Sequence, residues 1–169
     1  MAAQAVGAYG EKAVEAELLR QGWLPANVNA SIKNAADFDI FAVKGERAVC
    51  LRVKTCGPSF SEFQFSAKDP EKLATDGLSA TDFTVLVQMG ATRAEDNFYI
   101  VPTGEVRKAI DARRRSWLAK SRRDGAPRKD IGMWVLRLQD RRDGEDEPGF
   151  GLARKWSAYH DGWKILEKH

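Results

Sequence analysis

The stretch Asp37-Phe-Asp-Ile-Phe-Ala-Val-Lys-Gly-Glu-Arg-Ala-Val-Cys-Leu-Arg-Val-Lys-Thr55 restricts the fold more than any other part of the chain. It reads as two β-strands joined by a tight turn at Lys44-Gly45-Glu46. Side chains alternate along a strand, so Asp37 and Asp39 share a face with Phe41 and Val43, and Phe38, Ile40 and Ala42 take the other. In the second strand Val49, Leu51 and Val53 form an apolar face, which leaves Cys50, Arg52 and Lys54 together on the opposite one. Antiparallel pairing then brings Asp39 beside Lys54 at the end of the hairpin distal to Gly45.

A carboxylate next to a lysine suits phosphodiester chemistry. The acid can hold a divalent cation, and the ammonium can orient water or offset charge growing on the phosphate. The same pair also fits a plain cross-strand ion pair on a solvated face. The pattern Asp39-Ile40, an apolar strand, then Arg52-Val53-Lys54 resembles the core motif of the PD-(D/E)XK nucleases, especially the Holliday-junction-resolvase-like and restriction-endonuclease-like branches. The order of elements over the first hundred residues matches as well. The resemblance implies an α/β, restriction-endonuclease-like mixed β-sheet of about five strands flanked by helices. It also implies Asp39 as a metal ligand, Lys54 as the catalytic lysine, Glu11 as the helix carboxylate and Gln64 as a helper on the following strand. The cofactor so implied is Mg2+ or Mn2+.

The departure from that pattern is Arg52, where the family carries an acid or glutamine. A guanidinium only donates hydrogen bonds and is permanently charged, so it cannot ligate a cation. Either a neighbouring carboxylate such as Asp37 or Glu62 substitutes, with Arg52 acting on the phosphate, or the site binds nucleic acid without cutting it.

Charge is unevenly placed along the 169 residues, whose formal net charge is +3. Residues 106–129 hold ten Lys/Arg against two Asp/Glu, the usual electrostatic footprint for a polyanion. Arg107, Arg113, Arg114, Arg115, Lys120, Arg122, Arg123, Arg128 and Lys129 are therefore the candidate nucleic-acid contacts, with DNA as the expected partner. A homodimer and a protein partner stay open.

The length suits one domain with its own core: residues 1–102 as a motif-bearing core, and 103–169 as a basic helix, a loop and a C-terminal packing helix. No apolar run approaches the ~20 residues of a membrane helix, and the N-terminus lacks a basic region followed by an apolar stretch. A cytoplasmic place is expected. Cys50 and Cys56 sit up to roughly 20 Å apart on one extended segment, which favours free thiols over a disulfide. Two cysteines and two scattered histidines make no zinc site.

The remaining expectations follow in chain order. A helix spans Gly7 to Gln21, with Val14 and Leu18 on its apolar stripe and Gly22 as its stop. Strands are expected at Trp23–Asn29, Phe60–Ser66 with Phe63 and Phe65 inward, Phe83–Val87, Asn97–Pro102 and Trp134–Leu138. A short helix is placed at Asp69–Asp76. The basic helix runs from Gly104 to about Arg123, capped by Thr103, and a basic loop follows to Lys129. Residues 140–151 read as a surface loop without evident chemistry. A final helix from Leu152 to Leu166 packs Trp156, Tyr159 and Trp163 on the sheet. Three functions fit: a metal-dependent DNA endonuclease with a non-standard acid set, a nuclease fold that binds DNA without catalysis, or a protein-interaction or inhibitor module.

Overall fold

The computed structural model describes residues 3–28, 38–58, 60–66, 82–130 and 132–168. Helix α1 spans Ala3–Arg20, four residues longer at its start than the glycine at position 7 suggested, because Ala3-Gln-Ala-Val are adequate helix formers. It ends where Gly22 takes a φ of 79°, with Gly22 N and Trp23 N donating to Leu19 O and Leu18 O. Its buried face is Gly10, Ala13, Val14, Glu17 and Leu18.

Strand β1 is Leu24–Asn27, β2 is Ile40–Lys44 and β3 is Arg47–Cys56. The hairpin has the expected register, Ile40 opposite Leu51 through Lys44 opposite Arg47, and turns where Gly45 adopts a φ of 60°. Ile40, Ala42, Val49 and Leu51 are buried with α1 in one core. Strand β5, Phe83–Gln88, is buried over its first five residues. It pairs in parallel with β3 and antiparallel with β6, Asn97–Pro102. The main sheet is therefore mixed and five-stranded, in the order β1-β2-β3-β5-β6. It is flanked by helices, as expected.

Strand β4, Glu62–Ser66, does not join that sheet. After the Gly57-Pro58 turn it pairs with β7, Met133–Arg137, in a separate two-stranded sheet. This small sheet and helix α2, Thr103–Leu118, cover the face of the main sheet opposite α1. Phe63, Phe65, Leu86, Val101, Val106, Ile110, Trp134 and Leu136 form the second core there.

Three local expectations are corrected. Thr103 is the first residue of α2 rather than its cap, because its hydroxyl is spent on Thr84 Oγ1 at 3.1 Å. The basic helix stops at Leu118, and residues 122–126 turn back through Arg122 N to Ala126 O at 2.9 Å and Gly125 N to Arg122 O at 3.0 Å. The expected C-terminal helix is broken into α3, Leu152–Lys155, and 3₁₀ turns at Ser157–Tyr159 and Trp163–Lys168. The break arises because Asp161, at a φ of 49°, donates its amide to Phe98 O and His160 bridges to Tyr99. Attachment to the sheet edge replaces the helical ladder. Trp156, Trp163 and Leu166 are nevertheless buried, as their spacing required.

The Asp69–Asp76 segment lies outside the described residues. Cys50 and Cys56 are both free thiols. Among the described residues, no helix is long and apolar enough to cross a membrane.

Candidate functional site

The hairpin end gathers the acid and the lysine. Asp39 precedes β2 by one residue; its amide donates to Leu51 O at 2.9 Å, and Val53 N donates to its Oδ2 at 2.7 Å. The carboxylate is thereby pinned against β3 next to the Arg52-Val53-Lys54 triplet. Lys54 lies on the face of β3 away from α1, where its Nζ stands 5.5 Å from the centre of the Phe65 ring. Burial, and next the Arg52 guanidinium, hold the Lys54 ammonium below the usual lysine range, while the Asp39 charge pulls the other way.

That lowered value fixes a sign. The unfolded chain holds the Lys54 proton more tightly than the native one, so stability rises with pH from the lowered pKa up to the ordinary lysine value. Lys54→Met is therefore expected to be more stable than wild type at pH 7, with the gap closing as pH approaches that of free lysine. Urea denaturation at pH 7 and at pH 10 reads this directly. A variant less stable at pH 7 would mean that attraction to Asp39 outweighs burial.

Glu11 is placed by a residue on the neighbouring strand. Asn27 Nδ2, at the end of β1, donates to Glu11 Oε2 and to Glu15 Oε1, both at 2.9 Å. One amide thus holds two carboxylates of α1 at the sheet end where Asn27 pairs with Ile40. Asp37 lies outside the described residues. Gln64 is exposed and stands on the face of β4 opposite Phe65, so the structure does not bring it to Lys54. Glu62 pairs with Arg137 at 2.7 Å. Among the described residues, no three His, Cys, Asp or Glu side chains gather as a metal site. With Arg52, a pure donor, on the Lys54 face, the described side chains do not complete a cation's ligand set.

The basic helix is partly neutralised from afar. Glu147, only 7% exposed, receives Arg113, Lys120 and Arg141. Arg114 pairs with Asp130 and Arg122 with Asp124, and Arg128 lies 3.9 Å over the Trp117 ring. Of the nine cations singled out in the sequence, Arg107, Arg115, Arg123, Arg128 and Lys129 have no acidic partner among the described residues. Glu147 was missed because it sits in an acidic loop. The only sequence signal is its position before Pro148-Gly149-Phe150, where the buried Phe150 ring lies 4.9 Å from the guanidinium carbons of both Arg113 and Arg137. These groups line a cleft of about 710 Å³ between α2, the small sheet and the loop after β7.

A mixed five-stranded sheet with α1 on one face and α2 on the other is a restriction-endonuclease-like fold. The bacterial homing endonuclease I-Ssp6803I is similar over 99% of this chain and 93% of its own, with a TM-score of 0.53 and 15% sequence identity. Hjc, a Holliday junction resolvase from the archaeal hyperthermophile Archaeoglobus fulgidus, covers 78% of this chain and 83% of its own, with a TM-score of 0.43 and 15% identity. No protein-family model matches the chain, and no curated protein does.

Proposed function

We propose that this protein binds DNA on an endonuclease scaffold, taking a backbone phosphate at the hairpin end and further phosphates along the exposed cations of α2 and the loop after it. The observation that carries this is the convergence of Lys54 and Arg52 on one face of β3 beside the pinned Asp39 carboxylate. Cations on that face suit an anionic guest, and Arg115, Arg123 and Lys129 extend the positive surface.

The test is fluorescence anisotropy with a short duplex over a range of salt. Engagement of about four phosphates predicts a loss of roughly 100-fold in affinity between 50 and 200 mM salt. The Arg115, Arg123 and Lys129 triple alanine variant should bind more weakly and with a shallower salt slope. An affinity that ignores salt sinks the proposal and turns attention to a protein partner.

A second reading, a Mg2+- or Mn2+-dependent DNA endonuclease with a non-standard acid set, is favoured by the Asp39–Lys54 juxtaposition. In it Asp39, Glu11 and Asp37 would supply oxygen ligands, and the ion would supply charge for the phosphate and an activated water. Calorimetric titration of either ion into wild type and Asp39→Ala, followed by incubation with plasmid and branched DNA, separates the two. Ion binding and nicking that both vanish with Asp39 establish the endonuclease. DNA binding without either leaves recognition as the function.

A further inference from the structure

The chain doubles back after α2 ends at Leu118. Ser121 bridges to Pro127, Arg122 N donates to Ala126 O at 2.9 Å, and Gly125 takes a φ of 79°, which glycine adopts without strain. This turn returns the guanidinium of Arg128 to the helix, where it stands over the Trp117 ring, 3.9 Å from its centre. A guanidinium held by a ring face keeps its in-plane donors for other partners. Among the described residues Arg128 has none: it makes no hydrogen bond and meets no acid. Trp117 in turn supplies a ring and nothing more, because its indole N–H is buried without an acceptor, where buried tryptophans ordinarily find one.

Both residues line the cleft of about 710 Å³ beside the small sheet, together with Arg142 and Gln139. Every acid of that cleft is already engaged. Glu147 holds Arg113, Lys120 and Arg141, Glu62 holds Arg137, Asp143 meets Arg141 and Asp140 meets Arg154. Two cations of the lining are left over, Arg128 and the exposed Arg142, neither with an acidic partner among the described residues. The surplus favours an anionic guest. The volume is that of a small-molecule site rather than of a lone ion, and the exposed Gln139 brings an amide that both donates and accepts.

We infer that this cleft is a nucleotide subsite, in which Arg128, seated on Trp117, and Arg142 take the phosphate and Gln139 meets the edge of the base. Lys129 follows Arg128 directly, so the subsite opens beside the cations proposed to track the DNA backbone. A nucleotide entering from a strand must be unpaired, since a base inside a duplex has neither its edge nor its face free. That source rests on the DNA-binding reading; a free nucleoside monophosphate offers the same chemistry.

The experiment compares wild type, Arg128→Gln and Arg142→Gln in two arms. In the first, deoxyadenosine monophosphate and inorganic phosphate are titrated calorimetrically at constant ionic strength. Wild type should bind the nucleotide, more tightly than phosphate, and each variant should lose about 10-fold in affinity, the worth of one charge-assisted contact. In the second, anisotropy is measured with a fully paired duplex and with the same duplex carrying one unpaired nucleotide. Wild type should prefer the second by about 10-fold, and Arg128→Gln should lose the preference while still binding the paired duplex. Arg142 is exposed, so its variant carries both comparisons if Arg128→Gln does not fold. Phosphate bound as tightly as the nucleotide overturns the inference, and so does a preference for the unpaired nucleotide that survives both substitutions. Equal affinity for the two duplexes with no nucleotide bound overturns the inference and leaves the DNA reading standing. Nucleotide binding that needs Arg128, with neither duplex bound, supports the subsite with a free nucleotide as its ligand and sinks the DNA reading.

Discussion

Replacing Glu147 by glutamine is expected to destabilise the protein by about 3 kcal/mol at neutral pH and by almost nothing in strong acid. Burial opposes ionisation of this carboxyl, but Lys120, Arg141 and Arg113 outweigh it and hold its pKa down to about 2. The sign follows from the depressed value. The stabilisation is present above the ordinary glutamate pKa of 4.5 and is lost as pH falls toward about 2. Glutamine keeps the shape and removes the charge, which leaves the half-buried Arg113 without its acid; the loss of one partner from such a network is among the more damaging substitutions. For a chain of this size the change corresponds to a fall in melting temperature of about 6–12 °C. Chemical denaturation of both proteins at pH 7 and again near pH 2 provides the check. A difference that persists unchanged in acid would assign the effect to packing rather than to the charge.

Gly10→Ala is expected to cost about 2–3 kcal/mol, although alanine is the better helix former by about 1 kcal/mol. A Cβ built at position 10 would lie 1.7 Å from Thr55 Oγ1 and within 3 Å of Thr55 Cβ and Cγ2. Those atoms belong to a short β-branched side chain that cannot swing clear, so α1 must lift from β3. Thr55 follows Lys54 directly, and the displacement is transmitted to the hairpin end. Thr55→Ala removes two of the three clashing atoms, including a buried hydroxyl oxygen with no hydrogen-bond partner. Gly10→Ala should therefore cost less in the Thr55→Ala background, with a coupling of about 1 kcal/mol or more in a double-mutant cycle. Strict additivity would show that the helix does not press on this strand.

What the sequence revealed and what it concealed divide along the range of the interactions. The hairpin, β5 and β6 were legible because alternation, a turn glycine and a continuous apolar run are local signals, and Asp39 and Lys54 come together through that local geometry. Strand β4 was legible as a strand, but its partner was not: alternation fixes which side chains point inward and says nothing of a mate at residues 133–137. The arginines of α2 looked unopposed because the acids near them in sequence are few, whereas Glu147 arrives from a loop 27 residues beyond Lys120. Trp156, Trp163 and Leu166 were correctly read as buried, yet their spacing hid the break at Asp161, which depends on a hydrogen bond to Phe98 in another strand. The place of Glu11 depended in the same way on Asn27, whose amide could as well have closed a turn.

The two edges of the β2–β3 hairpin are held with unequal firmness. On one side β3 leans on β5, which is hydrogen-bonded to strands on both flanks and buried along most of its length. On the other side β2 is bordered by the four residues of β1, a strand with a single neighbour among the described strands and with Leu24 67% exposed. In native-state fluctuations such an edge parts from its neighbour long before the centre does. Asn27 sits on that edge, so each excursion of β1 unclasps Glu11 and Glu15 while Lys54 keeps its station. Lys54 thus rides on the more persistent framework and Glu11 and Glu15 on a latch that can open without unfolding the chain.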